Sequence, residues 1–310
     1  MRIIKLMEDF LQWIEVEKGY ADSTIKAYEY DILLFLRWYD GGKIKHGANN
    51  KQLKFKLKTI KLEEITLEDL REFVVYLARK LDYSNTTRCR KIASLKSFWN
   101  YLCKIRKLTD NIASDLSLPK KEPTTEIYLK QKEINQLFVA IDEISRNIIR
   151  DKAILAVLLY TGIRVSECIN LNLPDIDVES RILRVVKGKG GKSRMIGINK
   201  ELLPYIKEYL QERRKTSVEG KPLFLSERRK RLSKRTLQYH FKRWVEQAGL
   251  PQEVTVHKCR HTFLSHLCQN GASLAEIKQI SGHKNLASLQ RYLHNDQKRL
   301  NKIVNKVSYK

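Results

Sequence analysis

The sequence predicts a mainly α-helical protein with two domains and one small β-hairpin, an α+β arrangement. Apolar residues recur at helical spacing through most of the 310 residues, a length typical of about two domains. The stretch SLPKKEPTT at residues 117–125 interrupts this pattern, and its prolines disfavour helix in the residues before them. Residues 181–198 combine β-branched and aliphatic segments around a glycine turn, which is typical of a hairpin. We therefore expect domains at residues 1–116 and 126–310, joined by a linker at residues 117–125.

The first predicted domain, residues 1–116, is helical. Its helices are expected at residues 2–17, 25–39, 67–81 and 85–103. Ser23, Thr66 and Ser84 are the expected N-caps, and Asp69 gives Thr66 an imperfect capping box. Residues 41–64 are rich in Gly and Asn and then alternate lysine with other residues. We interpret this segment as a basic loop or short ribbon.

The second predicted domain, residues 126–310, is organised around one apolar helix at residues 147–160. Further helices are expected at residues 131–145, 201–214 and 233–248. The apolar helix stops at Thr161-Gly162, and a new turn starts at Ile163. Near the end of the chain, Asn270-Gly271 closes a helix and the segment Ser273–Glu276 forms a capping box for the next one.

The charge of the chain points to a polyanionic partner. Sixty Lys and Arg residues against 35 Asp and Glu give a formal net charge of +25, which favours nucleic acid first and a membrane surface second. No apolar run approaches the roughly 18 residues of a transmembrane helix, and the opening segment lacks the cleavage site of a secretory signal. Five widely spaced cysteines without a C-x-x-C motif indicate reduced thiols and a cytoplasmic protein.

Several basic side chains are candidates for contact with DNA phosphates. They lie in the basic segment after residue 41, along the predicted helix at residues 85–103, and on the hairpin at residues 181–198. They are Lys54, Lys56, Lys58, Arg88, Arg90, Lys91, Lys96, Lys187, Lys192 and Arg194.

Six polar residues stand at the ends of predicted elements and suit phosphoryl transfer through a tyrosine. They are Arg164, Lys189, His257, Arg260, His283 and Tyr292. Two arginines can hold the non-bridging oxygens of a phosphodiester, and two histidines can donate hydrogen bonds or move protons. A lysine on a hairpin tip can protonate the leaving 5′-oxygen, while a tyrosine attacks phosphorus. Because cationic side chains neutralise the developing charge, we expect neither a metal nor a cofactor.

Two alternatives concern individual residues of this set. Lys187 and Lys192 share the glycine turn with Lys189, so the proton could come from any of the three. His257, His261 and His266 could be zinc ligands together with Cys259. The H-E-x-x-H motif is absent and Arg260 would face the cation, so this interpretation is the weaker one.

The motifs, taken in order, resemble those of the tyrosine recombinases. They are Tyr160-Thr161-Gly162-Ile163-Arg164-Val165-Ser166-Glu167, Gly188-Lys189-Gly190, His257-Lys258-Cys259-Arg260-His261, Ser281-Gly282-His283 and Tyr292. Each motif alone is weakly specific, but all five occur in order, with the tyrosine nine residues after His283. The two-domain layout is similar to that of the Xer-type members and of integrases of mobile elements. The family tends to carry Leu where this chain has Ser281.

The resemblance implies a site-specific recombinase. In that family an N-terminal core-binding domain and a C-terminal catalytic domain clamp DNA, and a homotetramer assembles on two recombination sites. The family roles fall on Arg164, Lys189, His257, Arg260 and His283, with Tyr292 as nucleophile and Glu167 as a supporting acid. The reaction passes through a 3′-phosphotyrosine and a four-way junction without a nucleotide cofactor.

Three questions stay open at the level of the sequence. A type IB topoisomerase-like strand transferase and a catalytically silent DNA-binding protein on the same fold are the alternative functions. The duty could be chromosome-dimer resolution, integration and excision of an element, or inversion. A paralogous recombinase or an accessory factor could take part.

Overall fold

The chain divides into two compact units, Met1–Thr124 and Thr125–Lys310. A computed structural model describes residues 3–42, 44, 48–54, 60–120, 128–186, 193–216, 218 and 221–282. Both units are mainly helical, and the second contains a small antiparallel sheet, which confirms the predicted α+β class. Among the described residues, no helix combines the length and apolar character needed to cross a bilayer.

The first unit is built around its second helix. Its helices are α1 (Ile3–Val16), α2 (Asp22–Tyr39), α3 (Asn50–Lys54), α4 (Leu67–Arg79) and α5 (Asn85–Lys104). Helix α2 packs against the other four, and its residues 32–36 are all buried. Phe35 of α2 meets Phe73 of α4 and Trp99 of α5 edge-on, at centroid distances of 5.3 and 5.6 Å. These ring contacts join three helices into one core.

Side-chain capping fixes the start of two of these helices, α4 and α5. The Thr66 side chain accepts from the Asp69 amide at 3.2 Å, and Asp69 accepts from the Thr66 amide at 2.8 Å, so the capping box is complete. Ser84 caps α5 as predicted. The prediction for Ser23 is wrong, because α2 begins at Asp22 and Ala21 occupies the N-cap position.

The basic segment at residues 41–64 is partly helical. It contains α3 and a 3₁₀ turn at Leu62–Glu64, where the sequence suggested a loop or ribbon. Residues 55–59, which carry the strand-like alternation, lie outside the described residues.

The start of the predicted linker is held on the first unit. Asn85 Nδ2 donates to the carbonyl of Lys120 at 2.8 Å, and Cys89 Sγ lies 3.3 Å from the carbonyl oxygen of Pro119. Residues 121–127 lie outside the described residues.

The second unit is built around α7, which packs against four neighbouring helices. Its helices are α6 (Gln131–Ile144), α7 (Ile148–Thr161), α8 (Val165–Asn170), α9 (Leu202–Arg214), α10 (Lys234–Gln247), α11 (Val256–Gln269) and α12 (Leu274–Ser281). Ten of the 14 residues of α7 are buried, and they include all of residues 153–159 in its apolar run. The Ser273 capping box of α12 is present. Asn270 follows α11, and Gly271 there has a φ of 92°.

The sheet of the second unit has three antiparallel strands in the order β1 (Ile176–Asp177), β2 (Ile182–Val185) and β3 (Arg194–Gly197). Strands β2 and β3 are the arms of the predicted hairpin, and β1 was not predicted. The register places Val185 opposite Arg194 and Leu183 opposite Ile196, so these four side chains share the inner face. Strand β3 packs against α12, which brings the hairpin close to the end of that helix.

Candidate active site

The corner between α7 and α8 positions the first arginine of the site. Helix α7 ends at Thr161, and its C-cap is Gly162, whose φ of 59° is left-handed and where a Cβ would lie 2.3 Å from Phe263 Cδ1. Only glycine fits this close turn without strain. Arg164 then occupies the N-cap position of α8, and its amide donates to Glu167 Oε2 at 2.8 Å. The turn therefore places the Arg164 side chain at the start of a helix, partly exposed to solvent.

Arg260 on α11 ties two helix ends together. Its Nη1 donates to the carbonyl of Gly162 at 2.6 Å, and its Nη2 donates to the carbonyl of Ser281 at 2.7 Å. The residue is 7% exposed. Because both bonds go to backbone atoms at helix C-termini, the guanidinium is held in one orientation and complements the partial negative charge there.

Glu167 is the carboxylate that joins the two arginines nearest to it. Its Oε1 accepts from Arg164 Nη1 at 3.1 Å, and Arg194 binds both carboxylate oxygens at 3.0 and 2.8 Å. Burial alone would raise the pKa of Glu167. The hydrogen bonds from Arg194 and from the Arg164 amide, together with the two guanidinium charges, instead hold that pKa at about 2. Glu167 is therefore ionised throughout the neutral range.

His257 stands near the start of α11, among positive charges. The surrounding protein partly shields it from water, and this loss of hydration lowers its pKa below 6.5. The charges of Lys234, Arg260 and Arg164 lower the pKa further. His257 is consequently neutral at pH 7, the state in which an imidazole can accept a proton.

The structure brings together Arg164, Glu167, His257 and Arg260 of the predicted site. The remaining predicted catalytic residues, Lys189, His283 and Tyr292, lie outside the described residues. The same holds for Lys56, Lys58, Lys187 and Lys192. The described residues contain no group of three or more His, Cys, Asp and Glu side chains arranged to hold a metal ion.

The prediction that Lys91 contacts DNA is wrong. Its side chain is 1% exposed, and its Nζ lies 2.7 Å from Asp31 Oδ1. The ammonium group also lies over the rings of Tyr30 and Tyr83, at 4.7 and 4.8 Å. Burial lowers the pKa of Lys91 and raises that of Asp31, and their mutual attraction opposes both changes. Lys91 is therefore part of the core of the first unit.

The prediction that Arg194 contacts DNA is also wrong. Its side chain is 9% exposed and is bound to Glu167 and to the carbonyl of Ile280. Arg194 faces inward because it stands opposite Val185 on the buried side of the hairpin. It belongs to the framework of the site and not to its solvent surface.

The other described candidates for DNA contact have partners within the first unit. Arg88 contacts Asn85, and Arg90 contacts Asp31. Lys96 donates to the carbonyl of Ser114 at 2.9 Å, and Lys54 lies 3.3 Å from Glu29. Their contact with DNA stays a prediction.

Sequence reasoning missed Lys234. This lysine follows the N-cap Ser233 at the start of α10, and its charge acts on His257. A lysine at a helix N-terminus is unfavourable to the helix, which hints at an anionic partner. No spacing motif links Lys234 to His257, because only the fold of the second unit brings their charges within reach of each other.

The arrangement suits the binding of a phosphodiester. Arg164 and Arg260 are planar cations fixed by protein partners, which is the preorganisation that a charged transition state requires. The neutral imidazole of His257 stands beside them as a proton acceptor.

Comparison with known proteins identifies the family that the chain resembles in sequence and fold. The "Phage integrase family" profile matches residues 128–299, and the "Phage integrase, N-terminal SAM-like domain" profile matches residues 7–105. The tyrosine recombinase XerC of Caldanaerobacter subterraneus subsp. tengcongensis is 35% identical over 308 residues, covering 97% of this chain and 86% of that protein. The XerC of Anoxybacillus flavithermus is 31% identical, covering 92% of this chain and 91% of that protein. The solved structure of the XerH site-specific recombinase bound to difH substrate, a pre-cleavage complex, has a TM-score of 0.68 and 25% identity over 91% of this chain and 79% of that chain.

Proposed function

This chain belongs to the phage integrase family, and on that premise we propose that it is a site-specific tyrosine recombinase that cleaves and rejoins double-stranded DNA. The observation that carries the proposal is the corner where Arg164, His257 and Arg260 converge. Two fixed guanidinium groups and a neutral imidazole suit a phosphodiester that passes through a pentacoordinate transition state. The net charge of +25 supports a polyanionic substrate.

The proposed chemistry is two in-line transfers at one phosphorus atom. The Tyr292 hydroxyl attacks phosphorus, and His257 accepts the phenolic proton. As the bond from Tyr292 to phosphorus forms, the bond to the 5′-oxygen breaks, and Lys189 donates a proton to that leaving oxygen. Arg164, Arg260 and His283 hold the non-bridging oxygens. A 3′-phosphotyrosine and a free 5′-hydroxyl result.

The second transfer reverses the first with a new partner. The 5′-hydroxyl of the other duplex attacks phosphorus, and Tyr292 leaves and regains its proton. The bond energy is kept in the phosphotyrosine, so the reaction requires no nucleotide. Exchange of one strand pair gives a four-way junction, and exchange of the second pair resolves it.

The proposed assembly has four protomers on two recombination sites. The first unit acts as the core-binding domain and the second as the catalytic domain, which together clamp the duplex. The XerH structure bound to its difH substrate supports a DNA partner. We place the activity in the cytoplasm, in keeping with five cysteines that form no disulfide.

Covalent capture tests the nucleophile. Purified protein is incubated with sheared genomic DNA of the source organism, without added metal, and adducts are isolated under denaturing conditions and sequenced. We expect adducts at a discrete site with wild-type protein and none with Tyr292→Phe, while Tyr292→Phe still binds that site. The Tyr309→Phe variant removes the same hydroxyl from another C-terminal tyrosine and should form adducts normally.

Adducts that persist with Tyr292→Phe would assign the nucleophile to another residue. The captured site, placed on two differently labelled duplexes and on a supercoiled plasmid, then separates the functions. Exchange of labels is expected of a recombinase, whereas relaxation of supercoils without exchange would identify a topoisomerase.

A further inference from the structure

Arg194 occupies a central place in the second unit although no motif singles it out. It is the first residue of β3, and its guanidinium binds Glu167 in a two-pronged fashion, at 3.0 and 2.8 Å. Its Nε donates to the carbonyl of Ile280, on α12, at 2.8 Å. One rigid planar group therefore joins the hairpin, the acid of α8 and the end of α12.

The end of α12 is held by two arginines at consecutive carbonyls. Arg194 binds the carbonyl of Ile280, and Arg260 binds that of Ser281 at 2.7 Å. The next residue, Gly282, has a φ of 66°, and a Cβ there would lie 3.2 Å from Arg194 Nη1. The guanidinium thus lies against the turn that leads directly to His283. Positive charge at this helix terminus is favourable, because the last carbonyls carry partial negative charge.

We propose that Arg194 is a positioning residue that aligns two phosphate-binding parts of the active site. It orients Arg164 by way of the Glu167 carboxylate, and it holds the last turn of α12, which leads to His283. This inference rests on the proposed function. We infer that Arg194 itself does not touch the substrate, because its side chain is only 9% exposed and its guanidinium is bound to Glu167 and to α12.

The geometry explains why a lysine would not serve. The carboxylate of Glu167 is shared, with Oε1 bound by both Arg164 and Arg194 and Oε2 bound by Arg194 and the Arg164 amide. A planar fork fixes both oxygens at once and keeps a third N–H for Ile280. An ammonium group is a single point of attachment and would leave the carboxylate free to rotate.

The test compares three variants. Arg194→Lys keeps the charge, and Arg194→Gln removes it. Arg184→Gln removes the same charge from the exposed face of the same hairpin and is the matched control. Single-turnover cleavage of the captured DNA site is measured beside DNA affinity. Because a displacement of about 1 Å in a site can lower a rate by about 100-fold, we expect losses of that order for both Arg194 variants. We expect DNA affinity to stay near wild type, and the control to cleave normally.

A 5′-thio substrate distinguishes alignment of the phosphate-binding residues from a second possible role of Arg194, which is to position the general-acid lysine of the hairpin. A thiolate leaves without protonation, so the substrate bypasses the general acid. We expect the deficit of Arg194→Lys to persist with the thio substrate. Full recovery would mean that Arg194 only presents the lysine, and would overturn the proposal.

A second measurement needs neither DNA nor catalysis. The amide of Gly282 donates to the carbonyl of Lys278 at 2.8 Å, and its hydrogen exchange reports the order of the α12 end. Both Arg194 variants should accelerate this exchange and raise the pKa of Glu167 seen by carboxyl NMR, whereas Arg184→Gln should change neither. Unchanged exchange and pKa would overturn the positioning role even in a folded, active protein. A wild-type protein that forms no adduct would instead contradict the proposed function, and these two readouts would still decide the role of Arg194.

Discussion

Removal of the Glu167 charge tests how the site is held together. The side chain of Glu167 is 10% exposed and contacts both Arg164 and Arg194. In the Glu167→Gln variant the two guanidinium groups lose their anionic partner, although the volume of the side chain is nearly unchanged. We expect the second unit to be destabilised in a way that depends on pH.

The expected magnitude follows from the pKa of Glu167. A carboxyl group whose pKa is 4.5 in the unfolded chain and about 2 in the folded protein contributes about 3 kcal/mol to the free energy of unfolding at neutral pH. Because the folded pKa is the lower one, this contribution is complete above pH 4.5 and is lost as the pH falls toward 2. At pH 3 the unfolded chain has taken up the proton and the folded protein has not, so about 2 kcal/mol is already lost. The difference between wild type and Glu167→Gln should therefore narrow from about 3 to about 1 kcal/mol between pH 7 and pH 3.

The assay must report on the second unit alone. Trp244 belongs to this unit, whereas Trp13, Trp38 and Trp99 belong to the first. Incorporation of 5-fluorotryptophan gives Trp244 its own fluorine signal, and urea titrations at several pH values then yield the stability of its unit. Glu208→Gln, at an exposed position of α9, is the control for loss of one negative charge.

One result would refute the reasoning about this carboxylate. If the stability difference between wild type and Glu167→Gln is the same at pH 7 and pH 3, Glu167 is not held ionised by the two arginines. A difference that also appears with Glu208→Gln would trace the effect to net charge and not to the pairing.

Three further predictions concern other positions. Lys234→Gln removes a positive charge near His257, so the pKa of His257 should rise toward 6.5 and the acid limb of the cleavage-rate profile should move to higher pH; an unchanged imidazole NMR titration would show that Lys234 does not act on it. Gly162→Ala forces a left-handed φ of 59° and a close contact on a residue with a Cβ, so urea denaturation should show a loss of at least about 1 kcal/mol, and equal stability would contradict the geometry. Lys91→Met removes the buried ammonium group from Asp31, which keeps Arg90 as a partner, and should destabilise the first unit by about 1–3 kcal/mol. The salt dependence of DNA binding should stay unchanged in that variant, and a shallower slope would show that Lys91 does contact phosphate.

The helices could be predicted from the sequence because their boundaries are set locally. Thr66, Ser84 and Ser273 cap helices through bonds to residues three positions away. The prediction of Ser23 as an N-cap failed because the helix begins one residue earlier, at Asp22. The helix macrodipole favours this acidic residue in the first turn. Strand β1 is two residues long and exists only through its pairing with β2, so no local pattern indicated it.

The sequence predicted which residue types belong to the site, but not which of the charged side chains are buried or how they pair with one another. Lys91 stands four residues before the buried Leu95 and seven before Phe98, so helical spacing already placed it on the apolar face of α5. Arg194 has the same parity as the buried Ile196, and strand alternation placed it on the inner face. In both cases the positive charge of the side chain suggested a solvent-exposed position, whereas the periodicity of the helix or strand indicated the interior. The periodicity was correct. The influence of Lys234 on His257 depends on the tertiary fold of the second unit, which no local pattern contains.

The framework explains why this site can bind a phosphodiester with little rearrangement. Arg164 is held by Glu167, and Arg260 is held by the carbonyls of Gly162 and Ser281. Folding has therefore already fixed these cations close to one another, although their mutual repulsion opposes this arrangement. Loss of hydration is the main cause of the lowered pKa of His257, and the charges of Lys234, Arg260 and Arg164 lower that pKa further because they repel the protonated imidazole. An entering phosphodiester removes the repulsion, so DNA binding and the stability of the second unit must be linked, and each should strengthen the other.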